Sequence, residues 1–346
     1  MALCEGPTPV ARLAALEKQT GGEIWIKNDG LYGSLYGGNK PRKLEFILAD
    51  ALSGGGGTIL TFGAVGTHHG LATALYGRQC GLRVVLLLTY QTPTEDTARH
   101  LCLMQEAGAL LHYTRSLPET AVLAPYFLLR YSGRWLRQRP YLLWTGASTP
   151  LGCAGYVNGA LELAEQVRQG QLPEPEHIVV PLASAGTAAG LLLGLRLAGL
   201  RSRLLGVAVT RAPTAGGSAV ARLAASAARL LRARGAHIPE LRLRASDIQV
   251  VREWLGDGYA KPSAAGEEAR RLLAETEGLS LDPVYTAKTV AALMGLRRRG
   301  ELGDGPVLYW HTYNALPLPD PDPATRERLP RAFRRFLQPP QPHRDR

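Results

Sequence analysis

The sequence predicts an α/β protein built on open, mostly parallel sheets with helices on both faces. Helical and extended segments alternate over most of the chain. The extended segments, such as 82–89 and 178–182, are apolar throughout, as strands buried on both faces are. The 346 residues, 45% hydrophobic and 20% charged, supply a core for one large or two medium domains.

The elements follow in order. A proline-rich start leads to a helix over 11–18 and a strand over 23–27. A helix over 44–52 ends in the glycine turn Ser53-Gly54-Gly55-Gly56-Gly57. Strands at 58–62, 82–89 and 109–113 alternate with helices at 71–80 and 94–107, and a helix rich in Leu, Tyr and Arg spans 115–139. A strand at 141–144 and the loop Thr145-Gly146-Ala147-Ser148-Thr149-Pro150-Leu151-Gly152 lead into a helix over 153–167. Residues 169–176 hold two prolines and read as a linker. Strands at 178–182, 204–209, 248–251 and 307–310 then alternate with helices at 187–197, 219–234, 264–277 and 286–299. After Pro323 the chain is arginine-rich and ends in a proline-rich stretch, a weakly ordered tail beyond a helix near 324–337.

Composition narrows the function classes. The net charge of +11 invites nucleic acid, but its arginines are spread over helices and tail. No zinc-finger spacing, aromatic RNA-binding signature or basic block with interleaved aromatics is present, so no specific nucleic-acid partner is expected. Cys4, Cys80, Cys102 and Cys153 are scattered, which indicates neither a metal site nor a disulfide framework and fits a reducing cytoplasm. The start lacks a basic run followed by an apolar core, so no signal peptide is read. The uncharged stretch 178–195 contains Pro181, Ser184, Gly186, Thr187 and Gly190, and reads as strand, loop and helix rather than a membrane span.

The chemistry centres on Tyr36-Gly37-Gly38-Asn39-Lys40-Pro41-Arg42-Lys43-Leu44-Glu45-Phe46. Two glycines permit a sharp turn or a close approach, and Pro41 suits a helix's first turn. Only six of the 40 basic residues are lysines, and one stands at this loop-to-helix junction. Arginine stays protonated, whereas a lysine amine attacks a carbonyl, so Lys40 is either a solvated loop residue or a Schiff-base lysine of the kind pyridoxal phosphate uses. Two other stretches run from a strand end into a helix start, where free N–H groups and the helix dipole favour an anion. One is Gly63-Ala64-Val65-Gly66-Thr67-His68-His69-Gly70; the other is Ala183-Ser184-Ala185-Gly186-Thr187-Ala188-Ala189-Gly190. Read alone, the first is equally a Thr67 cap with two surface histidines and the second a small-residue packing surface.

Gly-Gly-Asn-Lys-Pro-Arg-Lys-Leu-Glu resembles the cofactor-lysine segment of the D-cysteine desulfhydrase and 1-aminocyclopropane-1-carboxylate (ACC) deaminase family, and four further stretches match that family in the same order. The resemblance implies a two-domain fold of type II, tryptophan-synthase-β-like, with residues 1–44 and 159–325 as the larger domain, 45–158 as an inserted smaller one and 326–346 as the tail. It implies pyridoxal phosphate carried by Lys40, a small amino-acid substrate, a lyase or deaminase reaction and a cytoplasmic homodimer. Catalysis would fall to Lys40, assisted by Thr67 and Tyr285. Asn39, His68, Ser184, Ala185, Gly186, Thr187, Thr286 and Thr312 would contact the cofactor, and Thr67, His68, His69, Tyr259 and Tyr285 the substrate.

Departures are visible. Thr67 and His68 stand where the family has Ser and Asn, and Ala183 and Ala185 replace two glycines of its phosphate loop, so that loop is expected to take a different course. In Leu281-Asp282-Pro283-Val284-Tyr285-Thr286-Ala287-Lys288, Thr286 stands where ACC deaminase-like members carry glutamate. Tyr313 and Asn314 replace small residues after His311-Thr312 and are expected to narrow the pocket.

Overall fold

The computed structural model describes residues 1–93, 95–133 and 138–337. Residue 94 and residues 134–137 of the expected helices, and the proline-rich end of the tail, lie outside the described residues. In order, the chain forms β1 (Val10–Arg12), α1 (Ala14–Thr20), β2 (Ile24–Asn28), α2 (Asn39–Ser53), β3 (Thr58–Ala64), α3 (His68–Gln79), β4 (Arg83–Thr89), α4 (Glu95–Glu106), β5 (Leu110–Thr114), α5 (Leu117–Arg130) and β6 (Tyr141–Leu143). It continues through α6 (Pro150–Arg168), β7 (His177–Leu182), α7 (Gly186–Ala198), β8 (Arg203–Ala208), α8 (Gly217–Ala233), β9 (Ile248–Val251), α9 (Ala264–Glu277), α10 (Thr286–Arg298), β10 (Val307–His311) and α11 (Thr325–Arg328).

Two compact units result. The larger holds Ala2–Phe46 and Ser148–Leu316; the smaller holds Met1, Ile47–Ala147 and Pro317–Arg346. In the larger unit a six-stranded sheet runs β1-β2-β10-β7-β8-β9, parallel except for the antiparallel pair β1–β2. The central strands β10, β7 and β8 are mostly apolar because both faces are covered. Ile178, Val180, Leu308 and Trp310 point into one core with α6, α7 and α8; Val179, Leu205, Val207 and Tyr309 point into another with α1, α9 and α10. Each such buried aliphatic side chain contributes about 1.5–3 kcal/mol, so the two cores outweigh local propensity in setting the fold.

The smaller unit carries a parallel sheet ordered β5-β4-β3-β6. Phe127 of α5 packs on Leu60, Phe62, Val85 and Leu87. On the other face an added Cβ at Gly70 of α3 would lie 3.2 Å from Leu86 Cδ2.

Three local readings change. Val10–Arg12 is an edge strand, not the start of a helix, because its backbone pairs with Trp25–Lys27. Residues 148–158 belong to the larger unit, since Cys153, Tyr156 and Val157 of α6 lie in its core. The helix expected near 324–337 is the short α11 followed by a 3-10 turn over Arg331–Phe336. There Phe333 and Phe336 are buried, each ring 5.9 Å from Tyr113. That apolar anchor explains why the segment joins the smaller unit.

Candidate active site

Adjacent parallel strands β2, β10 and β7 deliver their carboxyl ends to one edge of the larger unit's sheet. Loops at such an edge are where α/β folds bind ligands. Three segments meet here: the Gly37-Gly38 turn with the start of α2, the Thr312 segment after β10, and the Ser184–Thr187 turn after β7. Close approach dictates both glycines. An added Cβ at Gly37 would lie 1.8 Å from Gly30 O, and one at Gly38, whose φ is +83°, would lie 2.5 Å from Thr312 O.

Asn39 joins the three segments. Its N–H donates to Thr312 O at 3.1 Å, its Nδ2 donates to Thr187 Oγ1 at 3.2 Å, and its Oδ1 accepts from Lys40 Nζ at 2.6 Å. Lys40 is partly buried in the first turn of α2, and loss of water pushes its ammonium down to about 7. The charge of Lys43 acts in the same direction and that of Asp282 opposes it. Lys43, fully buried three residues on, is itself pushed down to about 8 by burial.

A buried ion cluster holds this helix start. The Arg42 guanidinium donates to Asp29 Oδ1 and Oδ2 at 2.7 and 2.9 Å and to Glu162 Oε2 at 2.9 Å. Asp29 also accepts from Thr8 Oγ1, Tyr156 OH and Trp310 Nε1, while its backbone oxygen takes the Gly38 N–H. Lys27, buried beside them, is ion-paired with Glu162. The Arg42 charge and hydrogen bonds hold both carboxyls below the usual range against the opposing effect of burial. Asn314 staples the same turn by accepting from Gly37 N, so it grips the lysine loop instead of narrowing a pocket as expected.

The turn after β7 keeps the glycine-like course despite its alanines. Ala185 sits at φ 65°, ψ −27°, the left-handed region, and α7 starts there with no side-chain cap. Holding a non-glycine residue in that region costs of order 1–3 kcal/mol, a strain typical of ligand-gripping turns. Ser184 Oγ lies 2.7 Å from Ser148 Oγ, and an added Cβ at Gly186 would lie 2.5 Å from that Ser148 oxygen.

At the start of α10, Asp282 acts as a clamp. Its Oδ2 accepts from Val284 N and Tyr285 N, and its Oδ1 accepts from Thr286 N and Thr286 Oγ1. Thr286 Oγ1 also accepts from Asp282 N at 2.8 Å, while the nearby Tyr309 hydroxyl pairs with His311 Nδ1 at 2.9 Å. The Thr286 hydroxyl is thus engaged with Asp282 both as donor and as acceptor. Among the described residues, Thr312 Oγ1 makes no hydrogen bond. Tyr285 and Tyr259 are hydrogen-bonded through their hydroxyls with rings edge to face. Loss of water around the paired hydroxyls raises both phenols, so they stay protonated at neutral pH.

In the smaller unit, Thr67 caps α3 by accepting from Gly70 N at 3.1 Å. The His68 ring stands edge-on to His100 at 4.8 Å, and His100 Nδ1 lies 3.1 Å from Gly66 O. His69 is buried, and its Nε2 lies 2.9 Å from Thr61 Oγ1. Thr61 gives its proton to Leu143 O at 2.8 Å, so His69 Nε2 is the donor in their bond. His100, Asp282, Arg42 and Asp29 went unassigned in the sequence; only the Asp282-Pro283 helix start hinted at any of them.

The model of the family described as "Pyridoxal-phosphate dependent enzyme" matches residues 1–312. The chain belongs to this family. A D-cysteine desulfhydrase of Salmonella schwarzengrund (strain CVM19633) is 35% identical over 321 residues, covering 90% of this chain and 93% of that protein. The crystal structure of an ACC deaminase homologue superposes with a TM-score of 0.76 at 31% identity, covering 91% of each chain. A serine racemase from Dictyostelium discoideum, 16% identical with a TM-score of 0.61 over 90% of this chain and 93% of its own, shares the fold.

The residues present fit the family's cofactor. The uncapped start of α7 leaves first-turn N–H groups for a phosphate, and the largely desolvated Lys40 amine is suited to a carbonyl. Among the described residues no helix is long and apolar enough to cross a membrane.

Proposed function

We propose that this pyridoxal-phosphate dependent enzyme is a lyase acting on a small, D-cysteine-like amino acid, releasing its β-substituent and yielding a 2-oxo acid and ammonia. The observation that carries the reading is Lys40, with its ammonium lowered to about 7 and Asn39 tying it to Thr187 and Thr312. Bound, the cofactor supplies an electron sink for the pair left when the α-proton departs. Lys40 Nζ, partly neutral at pH 7, is the base that takes that proton. Gly186 and Thr187, with Ser184 and the strained Ala185, hold the phosphate at the start of α7. Thr312 is assigned the ring nitrogen, because its hydroxyl makes no other hydrogen bond among the described residues whereas that of Thr286 gives its proton to Asp282.

A neutral Thr312 leaves the ring nitrogen less basic than a carboxylate would. The nearby Asp282 does not substitute, since four donors of its own helix start occupy it. The resulting weaker sink suits departure of a good leaving group such as a thiolate better than opening of an unactivated cyclopropane. Thr67, which keeps its proton while accepting from Gly70, is assigned with His68 to the substrate's carboxylate end. Tyr285 and Tyr259 are assigned to the substrate as neutral phenols. His69, committed to Thr61, supports the segment from inside. The working form is read as a cytoplasmic homodimer.

The test is turnover of D-cysteine, L-serine and ACC by the reconstituted enzyme, with borohydride trapping to map the cofactor lysine. Thiol release from D-cysteine well above 2-oxobutanoate release from ACC is expected, with the label on Lys40. Efficient ACC opening without β-elimination, or a label on Lys43 or Lys288, would overturn the reading.

A further inference from the structure

Lys288 lies one helical turn after Tyr285 on α10 and is fully buried. Among the described residues its ammonium makes no ion pair within 4.0 Å, although the charges of Asp257 and Asp282 act on it. It donates to two backbone oxygens, Leu255 O at 2.8 Å and Gly258 O at 2.9 Å. Those carbonyls lie in the turn that leads directly into Tyr259, whose backbone is left-handed at Gly256, Gly258 and Ala260, with φ of 63°, 139° and 60°; the strain falls on Ala260, since glycine adopts such angles freely. Tyr259 itself is 49% exposed, so burial of its own ring does little to hold it. Tyr259 nevertheless meets Tyr285 hydroxyl to hydroxyl.

We infer that Lys288 is a positioning residue that pins the 255–258 turn and thereby sets Tyr259 against Tyr285, fixing the phenol pair that selects the amino acid. A lysine suits the task. Its three donors on a long stem reach two carbonyls at once, and charge-assisted bonds to backbone are stronger than neutral ones. The inference rests on the reading of Tyr259 and Tyr285 as substrate-facing, but the anchor itself does not.

The first arm therefore needs no turnover. In the folded wild-type holoenzyme, acetic anhydride should label Lys288 at least about tenfold more slowly than exposed Lys261, because labelling requires local opening. Equal rates would overturn the anchor. The second arm is a double-mutant cycle on the amino acid the enzyme turns over. Lys288→Met should raise KM about tenfold, the size of a lost charged hydrogen bond, with kcat within about twofold, as for lost uniform binding. In a Tyr259→Phe background it should add nothing further. Additive effects would show that Lys288 does not act through Tyr259. Lys288→Gln, which keeps a donor, should fall between wild type and Lys288→Met and carries the cycle if the methionine variant does not fold. Failure of the substrate panel together with a protected Lys288 would sink the proposed function and leave the anchor standing.

Discussion

Lys40 and Lys261 are the same side chain in two solvents. Lys261 is exposed, while Lys40 is partly desolvated and faces the charge of Lys43. Protonated Lys40 is inert toward a carbonyl, and the neutral fraction grows as pH rises through about 7. Capture of pyridoxal phosphate by apoprotein should therefore climb about tenfold per unit below that pH and level off above it, where an ordinary lysine would keep climbing to about 10.4. Stopped-flow absorbance across pH 5–10 checks this, with Lys40→Ala as the blank. A rate still rising at pH 10 would mean that the amine is not desolvated.

At the scale of elements, buried ion pairs hold the start of α2. Arg42 and Lys27 balance Asp29 and Glu162 inside the larger unit. Removing one partner of such a cluster leaves an uncompensated buried charge. Glu162→Gln should cost about 3 kcal/mol, less than a fully buried pair at its worst because the glutamate side chain is 17% exposed. Thermal or urea unfolding measures it, and a midpoint equal to wild type would show the cluster to be energetically idle. The carboxyls of Asp29 and Glu162 are held below their ordinary values. Their contribution is present above pH 4–5 and lost as pH falls through the depressed values, so the wild-type advantage over Glu162→Gln should shrink in acid.

At the scale of the whole molecule, the net charge of +11 is carried mostly by arginine, and several of the arginines are exposed. Arg12, Arg196, Arg270, Arg298, Arg299 and Arg328 are all at least two-fifths exposed and paired with acids. DNA binding should be weak, sequence-independent and abolished between about 50 and 200 mM salt, as counterion release dictates. Fluorescence anisotropy with unrelated duplexes checks this; tight, salt-resistant and sequence-dependent binding would contradict it.

The sequence by itself determined the alternation of strands and helices and pointed to Lys40 as the candidate cofactor lysine. Periodicity and apolar runs are local signals, so 17 or so of the regular elements lie within a few residues of their expected places. Gly37, Gly38 and Lys40 stood out because a glycine pair followed by a lysine in an arginine-favouring chain is visible in one dimension, whereas Tyr285 was assigned only through the family resemblance. Only the tertiary structure decided the rest, because those choices depend on which atoms meet across long separations. It turned residues 10–12 into an edge strand through pairing with β2 and joined the 331–336 turn to the smaller unit through Phe333 and Phe336. It held Ala185 in a glycine's conformation and turned Asn314 onto the lysine loop. It also separated two threonines that looked alike in sequence: the Thr286 hydroxyl is engaged with Asp282, and among the described residues that of Thr312 makes no hydrogen bond. A hydroxyl's chemistry depends on its unfilled hydrogen-bonding sites, and the fold fills those sites.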